Sequence, residues 1–338
     1  MKRILFIFLQ LFLIIKYFSL KKIINYTKIK FSYLLSFFKI ITEYDTMPIF
    51  ASFEPSNFCN LRCPQCPVGM GENRNRKAEM MDFDLFKNIF NELKNNLLYA
   101  IFYFQGEPLL NKKLAKMIAF SHENRVFTMI STNAQLLDNQ TAHDLVEAGL
   151  DKIIISLDGA SQQIYEQYRV GGVLEKAIEG IIFIEKWKKE LQKRTPLLEI
   201  QCLLLSTTET QITKIQQLAK LLNADNIVFK TAQFYDFENG NPLMPTKEKF
   251  SRYKKNSDGK YMIKNKLRNR CARLWAGTVI TADGKILPCC YDKNTDFSFG
   301  KFENKNFKEI FNGKAALNFR NEIIKNRRRF EICRNCTE

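Results

Sequence analysis

Histidine is nearly absent from this chain, since only His122 and His143 occur among its 338 residues. Neither lies near the cysteine clusters, so a zinc site that combines cysteine with histidine is not indicated there. The small-residue cleavage site of a secretory signal peptide is also missing, which argues against export. There is no helix-turn-helix pattern, RNA-binding motif or arginine-rich arm, so the formal net charge of +17 gives no clear nucleic-acid signal.

The N-terminal region lacks a clean apolar run that would span a bilayer. Residues 4–20 are almost wholly apolar but include Gln10 and Lys16, and a transmembrane helix needs about 20 apolar residues. A second stretch, 26–41, mixes apolar residues with lysines. Two interpretations of residues 1–47 stay open. They form a peripheral amphipathic anchor on the inner face of the membrane, or helices that pack on the main domain.

Cysteine, in contrast, is plentiful and clustered. Three of the nine cysteines lie within residues 59–66, two at 289–290 and two at 333–336, while Cys202 and Cys271 are single. Grouping at ligand spacing in a chain of this length favours metal binding over a disulfide framework. Oxygen-sensitive metal clusters predict a cytoplasmic location. Cys202 falls in the middle of a predicted strand and is expected to be a small core residue.

The cysteines of the first group have the spacing C-x3-C-x2-C, at Cys59, Cys63 and Cys66. Three soft thiolates on one short loop can hold three irons of a 4Fe–4S cluster. The fourth iron is then open to a substrate or cofactor, which indicates chemistry rather than electron transfer alone. The alternatives are half of a zinc site and a disulfide with one cysteine left over.

From residue 49 onward, short apolar runs alternate with longer amphipathic stretches, which predicts strands and helices in turn. The predicted strands are 49–54, 99–105, 126–131, 152–157, 197–205 and 226–230, and the predicted helices are 82–97, 110–123, 138–148, 173–191 and 209–223. Such alternation indicates a parallel α/β sheet that is doubly wound or closes into a full or partial barrel.

Unusual polar residues follow the ends of the first four predicted strands. The cysteine loop 59–66 comes after the first, 105–108 after the second, 131–133 after the third, and Ser156 with Asp158 after the fourth. In parallel barrels the chemistry lies at the carboxyl ends of the strands. The sequence therefore predicts one site shared among these loops.

The C-terminal part of the chain follows a stretch without periodicity. Residues 278–281 and 285–287 flank Ala282-Asp283-Gly284, which is a hairpin signal, and residues 307–320 have a helical pattern. We divide the chain into an N-terminal extension (1–47), a barrel (48–232), a linker (233–270) and a cysteine-bearing C-terminal domain (271–338).

These motifs, in this order, resemble the radical S-adenosylmethionine (radical SAM) superfamily. Residues 59–66 are similar to its cluster loop, and Gln105-Gly106-Glu107-Pro108 to its Gly-Gly-Glu-Pro motif. Ser131-Thr132-Asn133 is similar to its ribose motif and 155–159 to its Ser-x-Asp-Gly motif. The resemblance implies a partial (β/α)6 TIM-like barrel of the radical SAM type with a small C-terminal auxiliary-cluster domain.

The resemblance also implies roles for single residues. Cys59, Cys63 and Cys66 would hold a 4Fe–4S cluster whose open iron binds SAM. Gly106 would let the backbone approach SAM, and Glu107 would accept hydrogen bonds from its amine. Four further side chains would bind the rest of SAM, the ribose through Ser131 and Asn133 and the carboxylate through Ser156 and Arg169.

Two positions depart from the family pattern. Gln65 replaces the aromatic residue that often precedes the third cysteine, so a stacking contact to adenine is in doubt. Gln105 replaces the first glycine of the Gly-Gly-Glu-Pro motif. Because Gly106 and Glu107 are retained, the predicted amine contact is unaffected.

Residues 271–338 resemble the SPASM and shorter Twitch domains of the same superfamily. The resemblance implies one auxiliary 4Fe–4S cluster, with the ligands Cys271, Cys289, Cys333 and Cys336. Cys290 is the alternative to Cys289, and a closed zinc site of four thiolates is the alternative to a cluster.

The resemblance implies an enzyme. It would cleave SAM reductively to a 5′-deoxyadenosyl radical and abstract hydrogen from an unidentified peptide, protein or carbohydrate-like substrate, in a net oxidation if the auxiliary cluster accepts an electron. A reductant such as flavodoxin or ferredoxin is then needed. The rival hypotheses are a non-catalytic iron–sulfur electron carrier or scaffold and a radical SAM enzyme that modifies nucleic acid, the latter consistent with the positive charge.

Overall fold

A computed structural model describes residues 2–40, 46–72, 76–303 and 306–337. The described helices are α1 (Lys2–Ile15), α2 (Leu20–Leu35), α3 (Phe83–Leu93), α4 (Leu114–Glu123), α5 (Asn139–Glu147), α6 (Gln162–Tyr168), α7 (Leu174–Glu190), α8 (Ile212–Leu221), α9 (Ala272–Ala276), α10 (Phe307–Phe311), α11 (Lys314–Asn326) and α12 (Glu331–Arg334). Short 3₁₀ turns occur at Ser36–Phe38, Pro108–Leu110, Glu248–Phe250 and Arg327–Arg329.

The described strands form one nine-stranded sheet and a separate hairpin. They are β1 (Phe50–Phe53), β2 (Tyr99–Phe102), β3 (Phe127–Thr132), β4 (Lys152–Ser156), β5 (Leu197–Leu204), β6 (Asn226–Thr231), β7 (Tyr253–Lys255), β8 (Tyr261–Ile263), β9 (Gly277–Ile280), β10 (Lys285–Leu287) and β11 (Gly300–Lys301). The large sheet has the order β11-β10-β9-β1-β2-β3-β4-β5-β6. Strands β1 to β6 are parallel neighbours in chain order, which confirms the predicted partial barrel.

The core lies between the sheet and its helices, because alternate strand residues point toward the helices. Helix α3 illustrates the pattern: Asp82 caps its first turn by accepting a hydrogen bond from Asp84 N at 2.8 Å, and Phe86 and Phe90 lie on its buried face. The ring centroids of Phe53 on β1 and Phe86 are 5.0 Å apart. Each such buried ring stabilises the fold by roughly 1.5–3 kcal/mol, and these contacts fix β1 ahead of the cysteine loop.

The C-terminal segment contributes strands to the barrel sheet, a feature that the sequence did not reveal. The predicted hairpin forms as β9 and β10, but β9 also pairs in parallel with β1, with Phe50 opposite Gly277. A Cβ at Gly277 would lie 2.0 Å from the ring of Phe50, so a larger residue at this position would require that ring to move. The domain boundary predicted at residue 271 stays a prediction. The large sheet contains strands from both sides of this boundary.

Other elements also differ from expectation. Helix α6 was not predicted, and the predicted linker contains the hairpin β7–β8. The predicted helix 307–320 is two helices, α10 and α11, that meet at Gly313. A Cβ at Gly313 would lie 2.3 Å from Glu309 O, so the chain turns where only glycine fits.

Helices α1 and α2 cover the base of the barrel, where the strands begin. The hydroxyl of Tyr17 donates to Asp151 Oδ1 at 2.7 Å, just before β4. Lys22 Nζ donates to Arg125 O at 2.6 Å, just before β3. Asn25 Nδ2 donates to the carbonyl of residue 47, just before β1. These three contacts place α1 and α2 against the main domain. Among the described helices, none has the length and apolar content that a membrane span requires.

Lys22 should make the stability of the fold rise with pH. Burial, with Arg125 nearby, lowers the pKa of Lys22 to about 8 from an ordinary value of 10.5. The unfolded chain therefore binds more protons between these values, and stability increases as pH rises from about 8 toward 10.5. Relative to Lys22→Met, we expect wild type to gain roughly 2 kcal/mol in the free energy of unfolding over this window.

Thermal unfolding midpoints measured at pH 7.5, 8.5 and 9.5 check this expectation. The midpoint of wild type should rise by a few degrees relative to Lys22→Met. Lys21→Met, at an exposed neighbouring position, should follow wild type. Parallel pH curves for wild type and Lys22→Met would contradict the argument.

Candidate active site

The cysteine loop follows β1 and is held from two sides. Phe58 O accepts a hydrogen bond from Glu107 N at 2.9 Å, and Arg62 N donates to Val170 O at 3.0 Å. The loop thus joins the end of β2 to the end of α6. Burial raises the pKa of Cys59 to about 11 and raises that of Cys63, with the neighbouring thiols adding to both effects. The structure therefore brings the three predicted thiols together in a shielded place.

The spacing of the sulfur atoms fits a cluster better than one ion. Around a single zinc at about 2.3 Å, tetrahedral thiolates lie about 3.8 Å from one another. Within the described residues, no three cysteine sulfurs lie within 4.8 Å of one another. A four-iron cube holds its thiolates farther apart than one ion does. The group that does meet the single-ion distance is His143, Asp144 and Glu147, at the surface of α5.

Glu107 is a buried carboxylate with no cationic partner in direct contact among the described residues. It is 2% exposed. Its Oε1 accepts from Thr132 Oγ1 at 2.6 Å and from Leu109 N at 3.1 Å, and its Oε2 accepts from Asn133 N at 2.9 Å. Burial raises its pKa. A carboxylate has about four acceptor positions, so one remains for an amine.

Arg169 lies on the other side of the thiols. Its Nε donates to Asp158 Oδ2 at 2.6 Å, and its Nη1 lies 3.8 Å from Cys63 Sγ. Asp158 Oδ1 in turn accepts from Leu203 N at 2.6 Å. Asp158 raises the pKa of Arg169 well above its ordinary value, although burial opposes this. A fixed cation therefore faces the thiols.

The remaining predicted residues line the carboxyl ends of β3 and β4. Ser131 is partly exposed toward the site, and Ser156 is 8% exposed at the last position of β4. Asn133 Nδ2 donates to Asn60 Oδ1 at 2.9 Å and lies 3.6 Å from Cys59 Sγ. Asn133 thus contacts the cysteine loop, while the role predicted for it is a contact to ribose.

Sequence reasoning missed the residues that position these groups. Thr132 and Asp158 lie inside motifs that the sequence singled out, but their side chains hold Glu107 and Arg169. Gly69 packs against the loop so closely that a Cβ would lie 2.5 Å from Cys63 N. The signal that could have identified Thr132 and Asp158 was that both are polar residues inside these motifs. Which partner each side chain binds depends on the fold.

A second group of thiols lies in the C-terminal segment. Four cysteines line one cavity together with Arg327, namely Cys271, Cys289, Cys333 and Cys336. The guanidinium of Arg327 is buried, and its Nη2 lies 3.2 Å from Cys336 Sγ. Burial raises the pKa of Cys333 to about 11, and Arg327 opposes this increase. A buried cation beside four thiols suits an anionic metal–thiolate centre.

Cys290 does not line that cavity. It lines a second cavity of about 110 Å³, together with Cys289 and with residues of β1, β2 and β9 such as Ser52 and Val279. Arg273 Nη1 lies 3.4 Å from Cys290 Sγ. Cys289 thus lines both cavities, whereas Cys290 lines only the one in the barrel lumen.

Lysines of several elements also line the lumen. Lys152 Nζ pairs with Glu199 at 3.1 Å. No hydrogen bond or ion pair of Lys230 Nζ or Lys293 Nζ lies within the described part of the chain, and burial lowers the pKa of both groups. Lys230 on β6 interacts electrostatically with Arg273. Arg273 lies in α9, just before β9, and β9 belongs to the half of the sheet opposite β6. The lumen therefore carries excess positive charge.

Residues 53–190 match the Radical SAM superfamily. This span contains the three thiols, Glu107 and Arg169. The chain carries a radical SAM domain. Residues 271–337 match SPASM, an iron–sulfur cluster-binding domain, so a SPASM domain follows the radical SAM domain in this chain. The second match contains all four cysteines of the C-terminal cavity.

Curated relatives support the family at modest identity. A PqqA peptide cyclase of Bradyrhizobium diazoefficiens is 26% identical over 204 residues, which is 59% of this chain and 51% of the relative. An AdoMet-dependent heme synthase of Oleidesulfovibrio alaskensis is 26% identical over 151 residues, or 43% of this chain and 37% of the relative. The chain thus spans about half the length of the curated relatives it matches, or less.

Solved radical SAM structures share the fold. Streptococcus suis SuiB bound to S-adenosylmethionine aligns with a TM-score of 0.59 and 15% identity, covering 81% of this chain and 68% of SuiB. BtrN in complex with AdoMet and 2-DOIA aligns with a TM-score of 0.51 and 16% identity, covering 87% of this chain and 95% of BtrN. At such identities the likeness concerns the architecture alone.

The cofactors follow from the two family matches: a 4Fe–4S cluster with SAM in the radical SAM domain and an auxiliary iron–sulfur cluster in the SPASM domain. The residues present fit these groups. The soft donor set of each cavity suits iron, and Glu107 offers an acceptor to an amine.

Gly106 should be indispensable for the shape of this radical SAM site. Its φ is +67°, and a Cβ would lie 2.4 Å from Ser56 O and 2.5 Å from Phe58 O. Gly106→Ala must therefore push the cysteine loop away from Glu107, and we expect loss of the SAM-binding cluster, seen as about half of the iron.

Gly71→Ala is the matched control for Gly106→Ala. Gly71 has a φ of +69°, but a Cβ added there would meet no described atom within 4 Å. Both substitutions carry similar backbone strain, on the order of 1 kcal/mol, and only the first has a clash. Iron and sulfide analysis of the two purified proteins distinguishes them. Equal iron content would show that the contact to the loop is unimportant.

Proposed function

We propose that this protein cleaves SAM reductively and uses the product to abstract hydrogen from a substrate held in the barrel lumen. The observation that carries the proposal is Glu107, a fully buried carboxylate beside three thiols that lacks an ion-pair partner within the described residues. Its three hydrogen bonds offset only part of the cost of burying a carboxylate. A ligand amine on the remaining acceptor position of Glu107 would offset that cost.

The side chains divide the task of holding the cofactors. Cys59, Cys63 and Cys66 would bind three irons. Glu107 would accept a hydrogen bond from the SAM amine, with Thr132 and two backbone amides keeping its oxygens in place. Four more residues would hold the rest of SAM, with Ser156 and Arg169 at the carboxylate, Ser131 and Asn133 at the ribose, and Gly106 allowing the close approach.

When bound, the cluster and SAM together supply a 5′-deoxyadenosyl radical that abstracts hydrogen. The protein's part is orientation and shielding. Asp158 fixes Arg169 through its Nε, which leaves the other guanidinium nitrogens for a carboxylate. The apolar base of the lumen at Phe127 and Tyr99, closed by Tyr17, keeps water from entering through the base of the barrel.

The substrate is proposed to be a peptide, a protein side chain or a carbohydrate-like molecule with an acidic group. Lys230 and Lys293 have no ion-pair partner among the described residues, which supports an acidic group on the substrate. The name of one relative, PqqA peptide cyclase, and SuiB bound to the precursor peptide SuiA support a peptide. A net oxidation, with the auxiliary cluster accepting an electron, is part of the proposal.

Anaerobic reconstitution with iron, sulfide, dithionite and SAM tests the reaction. We expect 5′-deoxyadenosine and methionine to form together. Two iron–sulfur clusters without 5′-deoxyadenosine would favour the carrier or scaffold hypothesis instead. Binding of transfer RNA with a steep salt dependence would favour the nucleic-acid-modifying alternative. We also predict that the protein needs a reductant such as flavodoxin or ferredoxin. We predict a cytoplasmic location, with the N-terminus at the inner membrane face.

The auxiliary cluster is proposed to be held by Cys271, Cys289, Cys333 and Cys336. Cys289→Ser should remove the auxiliary iron, about half of the total, because its thiol lines the four-thiol cavity. Cys290→Ser should retain all the iron, because its thiol lines the lumen instead. Iron analysis and Mössbauer spectra of these adjacent variants decide between them, and the opposite outcome would assign the ligand to Cys290.

A further inference from the structure

Helix α2 buries polar side chains and leaves much of its apolar surface exposed. Its buried face presents Lys22 and Asn25, which bond to backbone carbonyls at the barrel base, together with one apolar side chain, Ile29. Its exposed face presents Ile23, Ile24 and Phe31, which are 46%, 47% and 52% exposed. A helix normally buries its apolar stripe. Docking on the barrel therefore leaves much of the apolar surface of α2 facing outward.

Helix α1 extends the same apolar surface. Phe6 and Ile14 pack against the barrel, while Phe8 and Ile15, on other faces of the helix, are 65% and 63% exposed. Most large apolar side chains that the described structure exposes belong to residues 7–40. An exposed apolar area of this extent usually marks an interaction site. We name the exposed side of α1 and α2 the base face.

The charge of this region indicates what covers it. The chain has no aspartate or glutamate before Glu43. The exposed cations interspersed with the apolar side chains are Lys16, Lys21, Lys28, Lys30 and Lys39. Two copies of such a face would repel each other, whereas an anionic bilayer attracts it. Apolar side chains that enter the acyl boundary, with lysines at the headgroups, are the pattern of an interfacial helix.

We propose that the base face docks on an anionic lipid bilayer and holds the barrel with its active site directed away from the membrane. The base face lies where the strands begin, near Arg125 and Asp151. The thiols and Glu107 lie where the strands end. Docking therefore leaves the lumen open to the aqueous side, so an attached enzyme acts on a water-borne substrate or on a group that projects from the membrane.

Vesicle co-sedimentation of the full-length, cluster-loaded protein tests this proposal. The probes are extruded vesicles of phosphatidylcholine alone and of phosphatidylcholine with about 30% phosphatidylglycerol, which gives a negative surface potential. We expect binding to the anionic vesicles, weak binding to the neutral ones, and release at high salt because screening shortens the Debye length.

Two triple variants and their matched controls localise the contact. The apolar variant is Ile23→Gln, Ile24→Gln and Phe31→Gln, and its control changes exposed apolar residues elsewhere, Ile182→Gln, Leu221→Gln and Met262→Gln. The charge variant is Lys28→Gln, Lys30→Gln and Lys39→Gln, and its control is Lys214→Gln, Lys254→Gln and Lys260→Gln. Each base-face variant should bind anionic vesicles on the order of tenfold more weakly or worse, and the controls like wild type.

Three outcomes would overturn the proposal. They are no binding to anionic vesicles, equal binding to both vesicle types, and a lipid-free dimer in sedimentation velocity that the apolar variant dissociates. The last would assign the base face to a second copy. Formation of 5′-deoxyadenosine, assayed on the same samples, should be unchanged in all variants. Its absence in wild type would refute the proposed reaction and leave the docking result standing.

Discussion

Replacing Cys59, Cys63 and Cys66 together by alanine should abolish 5′-deoxyadenosine formation and remove about half of the protein's iron. The three thiols lie on one loop between β1 and Glu107, and the four-thiol cavity lies in the SPASM domain, apart from them. The auxiliary cluster should therefore survive. Iron and sulfide analysis with Mössbauer spectra of the variant should report one remaining four-iron centre.

Cys202→Ala is the control for loss of a thiol. Cys202 is fully buried in β5 within the hydrophobic core, and burial raises the pKa of its thiol. The alanine should cost on the order of 1 kcal/mol in the free energy of unfolding and leave both iron and activity unchanged. Loss of all the iron in the triple variant would mean that the two clusters do not assemble independently. Retention of all the iron would refute the predicted ligands.

Glu107→Gln should retain both clusters and lower kcat/KM for SAM on the order of a hundredfold. A hydrogen bond to a charged acceptor is worth about 1.5–3 kcal/mol, and the substitution also turns an acceptor for Asn133 N into a donor. Anaerobic assays of 5′-deoxyadenosine formation, with iron content measured in parallel, would show this. Low iron together with low activity would mean that Glu107 is needed for the folding of the cysteine loop and not for contact with SAM.

Glu209→Gln is a matched control for this substitution. Glu209 is also a buried carboxylate that accepts from a threonine hydroxyl and two backbone amides, those of Thr246 and Lys247. No described hydrogen bond joins Glu209 to the three thiols or to Glu107, so the variant should have the kcat/KM of wild type. Equal loss in both variants would mean that a general change in stability, and not contact with SAM, explains the effect.

The buried position of Glu107 also predicts a pH dependence. Burial raises the pKa of this carboxyl, so protonation sets in at a higher pH than for an ordinary glutamate. A protonated Glu107 has less capacity to accept from an amine. The SAM affinity of wild type should therefore fall as the solution is made mildly acidic, while that of Glu107→Gln should vary less over the same range.

Much of the site was predictable because its residues belong to short segments. Cysteine spacing within eight residues and polar residues after successive strands are local patterns. The parallel alternation then places all the strand ends on one side of the sheet. Contacts between segments were not predictable in this way. Strand β9 pairs in register with β1, which lies near the other end of the chain, and hydropathy alone does not specify such a partner.

What the sequence by itself determined is the chemistry: three thiolates with an open fourth position, a second thiolate set, and a barrel to carry them. Only the tertiary structure decided which polar groups position the site, that Cys290 lies outside the four-thiol cavity, and which side of α2 is buried. The physical reason is that the sequence pattern shows only that the faces of a helix differ. Contacts between distant segments, such as those of Lys22 and Asn25 with backbone carbonyls at the barrel base, accompany the face that turns inward.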